Sequence, residues 1–350
     1  MTSNSEQQRF GQQPWVTFCM TTYKRPDFLK NQLSELLKQT FTDFAIIIHD
    51  NDVTASGKSV VESINDPRIQ YFTNEENLGM VKSFNRSLAR ATTPYVVMIT
   101  DDDPVYPDML QTLYDLTIQY PDFGMYFGGC NVLYNNPDVA RSSRGKVGMN
   151  SALVDLPINT VRTFSGQQFP YAFFAGDTGY MLWSTGIVKR EIAMAVDGMP
   201  DFGSAYNTDF GYMVLCGARE GVVLLNRALG HQEVHGTNYG FTESDFEKFY
   251  IVPEAFISWV QQRLPKDKNY EGLQSLMETF VGRWAVGYAI SVKRALTQKK
   301  IANESFEKFT AKLFRIPYLR KWKLKYKLAI WFPNMFEVLI EIKRRMFEKK

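Results

Sequence analysis

Short apolar runs alternate with amphipathic segments through the first hundred residues. Strands are predicted at 15–20, 44–49, 69–72 and 95–100, where the runs are rich in β-branched and aromatic residues. Helices are predicted at 28–39, near Val60 and at 79–91, where apolar residues recur at helical spacing. Strands that alternate with helices in this way predict βαβ units, and therefore an α/β fold with a mainly parallel sheet.

The pattern changes towards the C-terminus. From about residue 243 it becomes helical, with helices predicted at 246–262, 273–296 and 304–314. Residues 1–13 are polar and lack periodicity. We therefore expect a flexible N-terminal tail (1–13), an α/β domain (14–243) and a C-terminal helical region (244–350).

Two acidic clusters follow predicted strands. Asp101–Asp103 come directly after the strand 95–100, and Asp50 comes directly after the strand 44–49. Ligands of parallel sheets bind beyond the carboxyl ends of strands. Adjacent carboxylates repel one another unless a cation or solvent relieves them, and Mg²⁺ or Mn²⁺ binds carboxylates together with substrate phosphates. The alternatives are a solvated turn at the triplet, helped by Pro104 and Pro107, and a turn or helix cap at Asp50.

Six short motifs follow one another between residues 14 and 240. They are the strand and turn 16–25 with Pro26-Asp27-Phe28-Leu29, His49-Asp50-Asn51, Asn77-Leu78-Gly79 with Asn85, the run 91–103 with Pro107, Asn207-Thr208-Asp209-Phe210, and Val234-His235-Gly236-Thr237-Asn238. Each motif is weak alone, but their order resembles that of the GT-A glycosyltransferases, specifically the large inverting family 2. The resemblance covers about two-thirds of the chain.

The resemblance implies a Rossmann-like GT-A fold and transfer of one sugar from a nucleotide sugar, with UDP as the expected nucleotide. Thr21 and Tyr23 would wrap the base, and Asp50 would accept a hydrogen bond from the uracil N–H. The loop containing Gly176 and Asp177 would contact the donor sugar and the acceptor, with the glycines allowing close approach of the backbone.

The metal site departs from the usual Asp-x-Asp signature of the family. Aligning on Pro107 places Thr100 at the first Asp of the signature and Asp102 at the metal-binding position. We therefore expect Asp102 to bind Mn²⁺ or Mg²⁺ with the help of Asp103, and Asp101 to bind ribose or sugar. His235 would reach the metal or the diphosphate. Which of the three carboxylates bind the metal stays open.

Asp209 is the candidate general base. Inversion needs a carboxylate that takes the proton of the acceptor hydroxyl as that oxygen attacks the anomeric carbon. Meanwhile a cation stabilises the leaving nucleotide diphosphate. Asp209 also stands before the apolar run 210–215, so a helix N-cap is the alternative role, and the two roles can coexist.

Other enzyme classes fit less well. His231 and His235 have the spacing of a zinc motif, but no Glu follows the first His directly, and Gly230 and Gly236 oppose a helix. Arg283-Trp284 lacks the Gln of the Gln-x-x-Arg-Trp motif of polymerising synthases. A sugar-phosphate nucleotidyltransferase needs a glycine-rich loop after the first strand, and 21–25 has no glycine. A non-catalytic, membrane-associated scaffold with a transferase fold remains the alternative outside enzymes.

Composition and the cysteine pattern indicate the cellular compartment of the protein. Of 350 residues 45% are hydrophobic and 22% charged, which is typical of a globular protein. The three cysteines are far apart and indicate neither a disulfide framework nor a metal motif. Neither a signal peptide nor an apolar stretch long enough to span a membrane is recognised. We expect a cytoplasmic protein.

The C-terminus is basic. Residues 315–350 contain eleven Lys and Arg against three Glu, so this segment carries +8 and the rest of the chain −5 of the net +3. Between 318 and 332 the cations interleave with Trp, Tyr and Leu, which predicts a helix on the anionic cytosolic face of a membrane, although 322–328 also alternates with strand period. The acceptor would then be a glycan or a lipid-linked glycan of surface polysaccharide synthesis. Packing on the α/β domain is the alternative, and without a recognised module no nucleic acid is expected.

Overall fold

The computed structural model describes residues 13–143, 145–204, 206–238, 249–297 and 303–332. Most of the predicted N-terminal tail, the predicted boundary near 243 and the last residues, from 333, lie outside the described residues. The predicted domain boundaries therefore stay predictions.

The described strands form one mixed sheet. They are β1 (Val16–Thr22), β2 (Phe44–Asp50), β3 (Ile69–Thr73), β4 (Tyr95–Ile99), β5 (Met125–Tyr134), β6 (Gly148–Ser151), β7 (Val161–Phe164), β8 (Gly186–Lys189) and β9 (Val222–Val234). Their order is β3-β2-β1-β4-β8-β5-β9-β7, and β6 pairs with β5. Strands β1 to β4 are parallel, as are β5 and β9, whereas β8 is antiparallel to both of its neighbours.

Helices connect and cover the strands. They are α1 (Pro26–Leu36), α2 (Lys58–Ile64), α3 (Met80–Arg90), α4 (Met109–Gln119), α5 (Pro137–Ser143), α6 (Gln168–Ala175), α7 (Arg190–Ala195), α8 (Thr208–Glu220), α9 (Val252–Arg263), α10 (Leu273–Thr297), α11 (Asn303–Leu313) and α12 (Lys323–Trp331). The predicted α/β fold with C-terminal helices is confirmed. The pattern of residues 188–195 is typical of a helix, but the segment begins in a buried strand, because Val188 pairs with Val96 of β4 and Met125 of β5.

The sheet has an apolar layer on each face. Along β4, Val96 and Met98 pack into one cluster, and Val97 and Ile99 pack into the other. This alternation follows the two-residue period of a strand, and both faces are covered because helices lie on each side of the sheet. Burial on both faces explains why the strands read as continuous apolar runs in the sequence.

All three cysteines are buried and free. Burial raises the pKa of the Cys19 and Cys130 thiols to about 12, and it also raises the pKa of Cys216. These thiols are therefore protonated at neutral pH and serve as small core residues.

The C-terminal helical region is attached to the α/β domain. The Lys268 ammonium donates to the carbonyls of Ala218 and Arg219 in the last turn of α8, at 2.8 and 2.9 Å. A cation at this position complements the negative end of the helix dipole. The Tyr171 hydroxyl of α6 donates to the carbonyl of Glu271 at 2.9 Å. These contacts join the segment before α10 to helices α6 and α8.

Helix α12 has two different faces. Ala329 and the preceding Leu319 are buried in the hydrophobic cluster of the C-terminal helices. Leu324, Trp331 and Phe332 are 68%, 64% and 51% exposed. The helical state settles the ambiguous period of 322–328. No helix in the described ranges is long and apolar enough to cross a membrane.

Candidate active site

The parallel pairing of β1 with β4 brings two loops to one edge of the sheet. Met20 lies opposite Ile99, so the ends of both strands coincide. The hydroxyl of Thr22, the last residue of β1, donates to Oδ2 of Asp101 at 2.7 Å. The acidic triplet is thereby anchored to the neighbouring strand, and all three of its side chains are buried.

A cation from the first loop lies in the triplet. Nη1 of Arg25 is 2.8 Å from Oδ1 of Asp101, and Nη2 is 2.9 Å from Oδ2 of Asp102. The guanidinium also lies over the Phe28 ring, 4.6 Å from its centroid. Sequence reasoning included Arg25 in the first motif without assigning it a role, because the pairing joins residues 76 positions apart.

His235 also lies in this cluster. Its Nε2 lies 3.3 Å from Oδ2 of Asp102, and its ring packs on Phe28 at 4.9 Å. The Thr237 backbone N–H is directed to Nδ1, which leaves Nε2 to donate to the carboxylate. His231 instead lies near Glu233, with Nε2 and Oε1 3.4 Å apart.

The three carboxyl groups differ in charge state. Burial, with the charge of Asp102, raises the pKa of Asp101 to about 6 and that of Asp103 well above its usual range. Burial also opposes the charge of Asp102, but the hydrogen bond from His235 and the charge of Arg25 outweigh it, so its pKa is lowered. Asp102 is therefore the firmest anion of the triplet. Asp103 accepts a hydrogen bond from the Glu233 N–H at 3.1 Å.

The triplet can be tested against the metal that the resemblance implies. In the described part of the chain, no group of three or more His, Cys, Asp or Glu side chains is arranged to hold a metal alone. However, Mg²⁺ and Mn²⁺ often use one or two carboxylates and complete their shell with phosphate oxygens and water. Asp101, Asp102 and His235 surround one cationic group and fit that mode of binding, provided that Arg25 moves aside.

Both carboxylate oxygens of Asp50 accept hydrogen bonds from the loop that follows β2 and from Tyr71 of β3. Its Oδ1 accepts the Asp52 N–H at 2.9 Å, and its Oδ2 accepts the Gly57 N–H at 2.9 Å and the Tyr71 hydroxyl at 2.6 Å. The side chain has no exposed surface. This arrangement matches the turn-capping alternative. Base binding by Asp50 would require it to give up one of these partners.

The other two residues predicted to bind the base differ in accessibility. The Thr21 hydroxyl lies 2.6 Å from the Ser83 hydroxyl and donates to the His49 carbonyl at 3.0 Å, so it joins β1 to its neighbours. Tyr23, beyond the end of β1, is exposed. Tyr23 is therefore the residue of this pair that offers a free surface to a planar base.

Asp209 is the second residue of α8. Burial raises its pKa to about 6, and the backbone N–H of Phe210 at the helix start opposes that shift. The preceding Asn207 has a φ of 62°, which turns the chain into the helix. The N-cap prediction for Asp209 is therefore wrong, because Asn207 is the N-cap and Asp209 lies in the first turn of the helix. Its raised pKa is useful for proton transfer near neutral pH, and its role as general base stays a prediction.

Tyr180 lies near both acidic sites, and no individual role was predicted for it. Burial, together with the nearby Cys130, Asp209 and Asp103, raises its pKa well above the usual range. Its hydroxyl donates to Oε1 of Gln232 at 3.1 Å. Since the carboxyl groups of Asp103 and Asp209 both act on this one side chain, the triplet and Asp209 lie in the same region of the molecule.

The loop after α6 contains Gly176 and Asp177. Gly176 has a φ of 92° and ends α6, and a Cβ built at this glycine would meet no protein atom within 4 Å. The left-handed backbone favours glycine at this position, and close approach to a sugar stays a prediction. Asp177 is exposed, and its carbonyl accepts a hydrogen bond from Arg162 at 2.6 Å. Donor-sugar contact by this loop stays a prediction.

Residues 17–155 match the family model for glycosyl transferase family 2. This segment is similar to the family 2 glycosyltransferases. Over 159 residues the chain is 25% identical to the GalNAc(5)-diNAcBac-PP-undecaprenol beta-1,3-glucosyltransferase of Campylobacter jejuni, covering 45% of this chain and 50% of that protein. Over 172 residues it is 22% identical to the UDP-Glc:alpha-D-GlcNAc-diphosphoundecaprenol beta-1,3-glucosyltransferase WfgD of Escherichia coli, covering 48% and 68%. The match thus spans only half of the Campylobacter relative.

Solved structures extend the likeness to the C-terminal helices. TarS 1-349 of S. aureus in complex with UDP-GlcNAc superposes with a TM-score of 0.59 at 13% identity, covering 90% of this chain and 92% of that chain. The complex of TarS 1-349 with UDP gives a TM-score of 0.58 at 14% identity. These likenesses confirm the fold prediction, and the family match confirms the predicted resemblance.

Proposed function

We propose that the protein is a divalent-metal-dependent, inverting glycosyltransferase. It moves one sugar from a nucleotide sugar, specifically a UDP-sugar, to a hydroxyl of a glycan or lipid-linked acceptor. The observation that carries this proposal is the presence of two unlike acidic sites near Tyr180, a cation-paired triplet and the lone carboxyl group of Asp209.

Asp209 acts on the acceptor. Its carboxylate takes the hydroxyl proton while the acceptor oxygen forms a bond to the anomeric carbon. The bond from that carbon to the phosphate oxygen breaks on the opposite face, and the electron pair leaves with the nucleotide diphosphate. A pKa of about 6 leaves Asp209 ionised at neutral pH and still basic enough to accept a proton.

The triplet acts on the donor. Asp102 and Asp103, with His235, would hold the metal, and Asp101 would bind the ribose or sugar. When bound, the metal stabilises the charge that develops on the leaving diphosphate. Tyr23 would stack on the base, since it is exposed at the end of β1.

The acceptor is inferred from the relatives and from α12. Both relatives described above carry an undecaprenol-linked diphosphate in their names. In this chain, Leu324, Trp331 and Phe332 form an exposed apolar face among lysines. Such a face suits the anionic surface of a membrane, where the cations meet headgroups and the aromatic residues enter the interface. We therefore place the enzyme at the cytosolic face of a membrane.

A transfer assay tests the proposal. The full chain is incubated with a panel of UDP-sugars, Mn²⁺ and a polyprenyl-diphosphate-linked saccharide, and the anomeric configuration of the product is determined by NMR. We expect transfer with inverted configuration, and none after chelation of the metal. Nucleotide binding without any sugar transfer across the panel would favour a non-catalytic scaffold, and retained configuration would exclude the role of Asp209.

A further inference from the structure

The guanidinium of Arg25 occupies the acidic pair as an internal cation. We propose that Arg25 competes with a divalent cation for Asp101 and Asp102, and that it keeps free metal out of the site until a nucleotide diphosphate arrives. This inference rests on the proposed metal dependence of the transferase. It assigns to Arg25 a positioning role in the order in which donor and metal are loaded.

The contacts of Arg25 carry the argument. Its two terminal nitrogens bind different carboxylates at 2.8 and 2.9 Å, and Nη2 also lies 3.4 Å from Nε2 of His235. The same guanidinium thus touches two of the proposed metal ligands, Asp102 and His235, together with Asp101. Two like charges cannot occupy this position together, because a cation at Oδ2 of Asp102 would lie within a few ångströms of the guanidinium.

Arg25 can leave without rebuilding the fold. It lies in the loop between β1 and α1, it is 26% exposed, and its side chain does not cap the helix that follows. Its departure leaves two neighbouring buried carboxylates without a counterion, which is unfavourable unless another cation replaces it. Free metal would have to break both ion pairs with no new partner for the arginine.

A nucleotide diphosphate changes this balance. Arginine binds phosphate oxygens with paired, charge-assisted hydrogen bonds, so the diphosphate offers Arg25 a new partner. The carboxylates released by Arg25 then become available to the metal. In the wild-type protein, metal and nucleotide should therefore bind together much better than either binds alone.

Direct metal binding tests this inference. Binding of Mn²⁺ to the full-length protein is followed by the loss of the free Mn²⁺ signal in electron paramagnetic resonance, with and without UDP. We expect Arg25→Gln to bind Mn²⁺ alone about tenfold more tightly than the wild type, within the usual range of coupling between two sites. The gain in Mn²⁺ affinity on adding UDP should shrink accordingly.

Arg68→Gln is the matched control. Arg68 pairs with Asp66 at 2.8 Å, lies 4.5 Å from the Phe44 ring centroid and is 28% exposed, so it resembles Arg25 in exposure, in having a carboxylate partner and in its aromatic contact. It precedes β3 and therefore lies at the edge of the sheet opposite the acidic triplet. Its loss should leave Mn²⁺ binding unchanged. Arg25→Lys keeps the charge but loses the planar fork, and should give an intermediate affinity.

The outcomes separate the two proposals. If Arg25→Gln and Arg25→Lys both bind Mn²⁺ alone as weakly as the wild type, while UDP still recruits the metal, the competition by Arg25 is excluded and metal dependence stands. If Arg25→Gln does not fold, a wild-type affinity in Arg25→Lys alone excludes it. If no variant binds Mn²⁺ even with UDP, metal dependence itself is wrong.

Discussion

The two acidic sites are built from the same residue type and differ in what surrounds it. Asp102 is next to Arg25 and His235, which hold its pKa low and keep it anionic. Asp209 is met by backbone N–H groups at a helix start, and burial raises its pKa to about 6. The first environment favours binding of a cation, and the second favours acceptance of a proton. Environments that separate the proton affinities of two carboxylates are how one active site acquires two roles.

Removal of the Asp209 carboxylate should have the largest effect. Asp209→Asn keeps the size of the side chain and its ability to bond the helix start, but it cannot accept the acceptor proton. We expect kcat to fall by about 10²–10⁴-fold, the usual contribution of general base catalysis. Asp201→Asn, at an exposed carboxylate on the preceding loop, serves as the control and should keep wild-type kcat. Equal activity of Asp209→Asn and wild type would contradict the assignment.

Loss of the Asp102 charge should weaken the binding of UDP with Mn²⁺. UDP with Mn²⁺ at 100 times its dissociation constant should stabilise the wild type by roughly 2.7 kcal/mol. Asp102→Asn should lose most of this stabilisation in thermal unfolding, because it removes the firmest anion of the triplet. Asp66→Asn, whose carboxylate pairs with Arg68 away from the triplet, should keep it. A full shift in Asp102→Asn would show that the metal is held elsewhere.

The pH dependence follows from the Asp209 pKa. Below about pH 6 the carboxyl group is protonated and cannot accept a proton, so kcat should fall as the pH is lowered through 6. The same raised pKa means that the folded protein binds this proton more tightly than the unfolded chain. The contribution of Asp209 to stability therefore increases as the pH falls from 6 towards its ordinary value. At pH 7.5, Asp209→Asn should unfold at no lower temperature than wild type, and a clear drop would favour a purely structural role.

The smallest effect on chemistry should come from α12. Replacing Trp331 and Phe332 with Ser removes apolar surface that would enter the membrane interface, so binding to anionic vesicles should weaken by about tenfold or more. Flotation with vesicles measures this. UDP binding should not change, because neither acidic site is touched. Ile118→Ser, at an equally exposed apolar residue of α4, is the control. Unchanged flotation of the double variant would contradict the proposed membrane binding by α12.

Local patterns predicted most of the fold. The apolar runs predicted β1 to β4 within about two residues. Strands β1, β2 and β4 are buried on both faces, which their sequences show, and β3 is partly exposed. Strand β8 was not predicted, because a four-residue strand followed directly by a helix has the same apolar content as a longer helix. The Asp101–Asp103 triplet, His235 and Asp209 were found through their motifs, and the structure brings them to one region of the molecule.

The remaining features of the site depend on contacts between distant parts of the chain. Arg25 meets His235 across 210 positions, and Tyr180 meets Gln232 across 52. No periodicity encodes such pairs. Asp50 accepts hydrogen bonds from Tyr71 and Gly57 because of the way the loop after β2 folds. The sequence does not show this folding, so base binding and turn capping both stayed open for Asp50.

Titration of Asp209→Asn and Asp102→Asn with UDP and Mn²⁺ by calorimetry is the most direct test of the division between the two sites. The account predicts that Asp209→Asn binds the pair like the wild type although it does not turn over, and that Asp102→Asn loses binding. If both variants lose binding, or if both keep it, the two acidic sites do not have separate roles and the account is wrong.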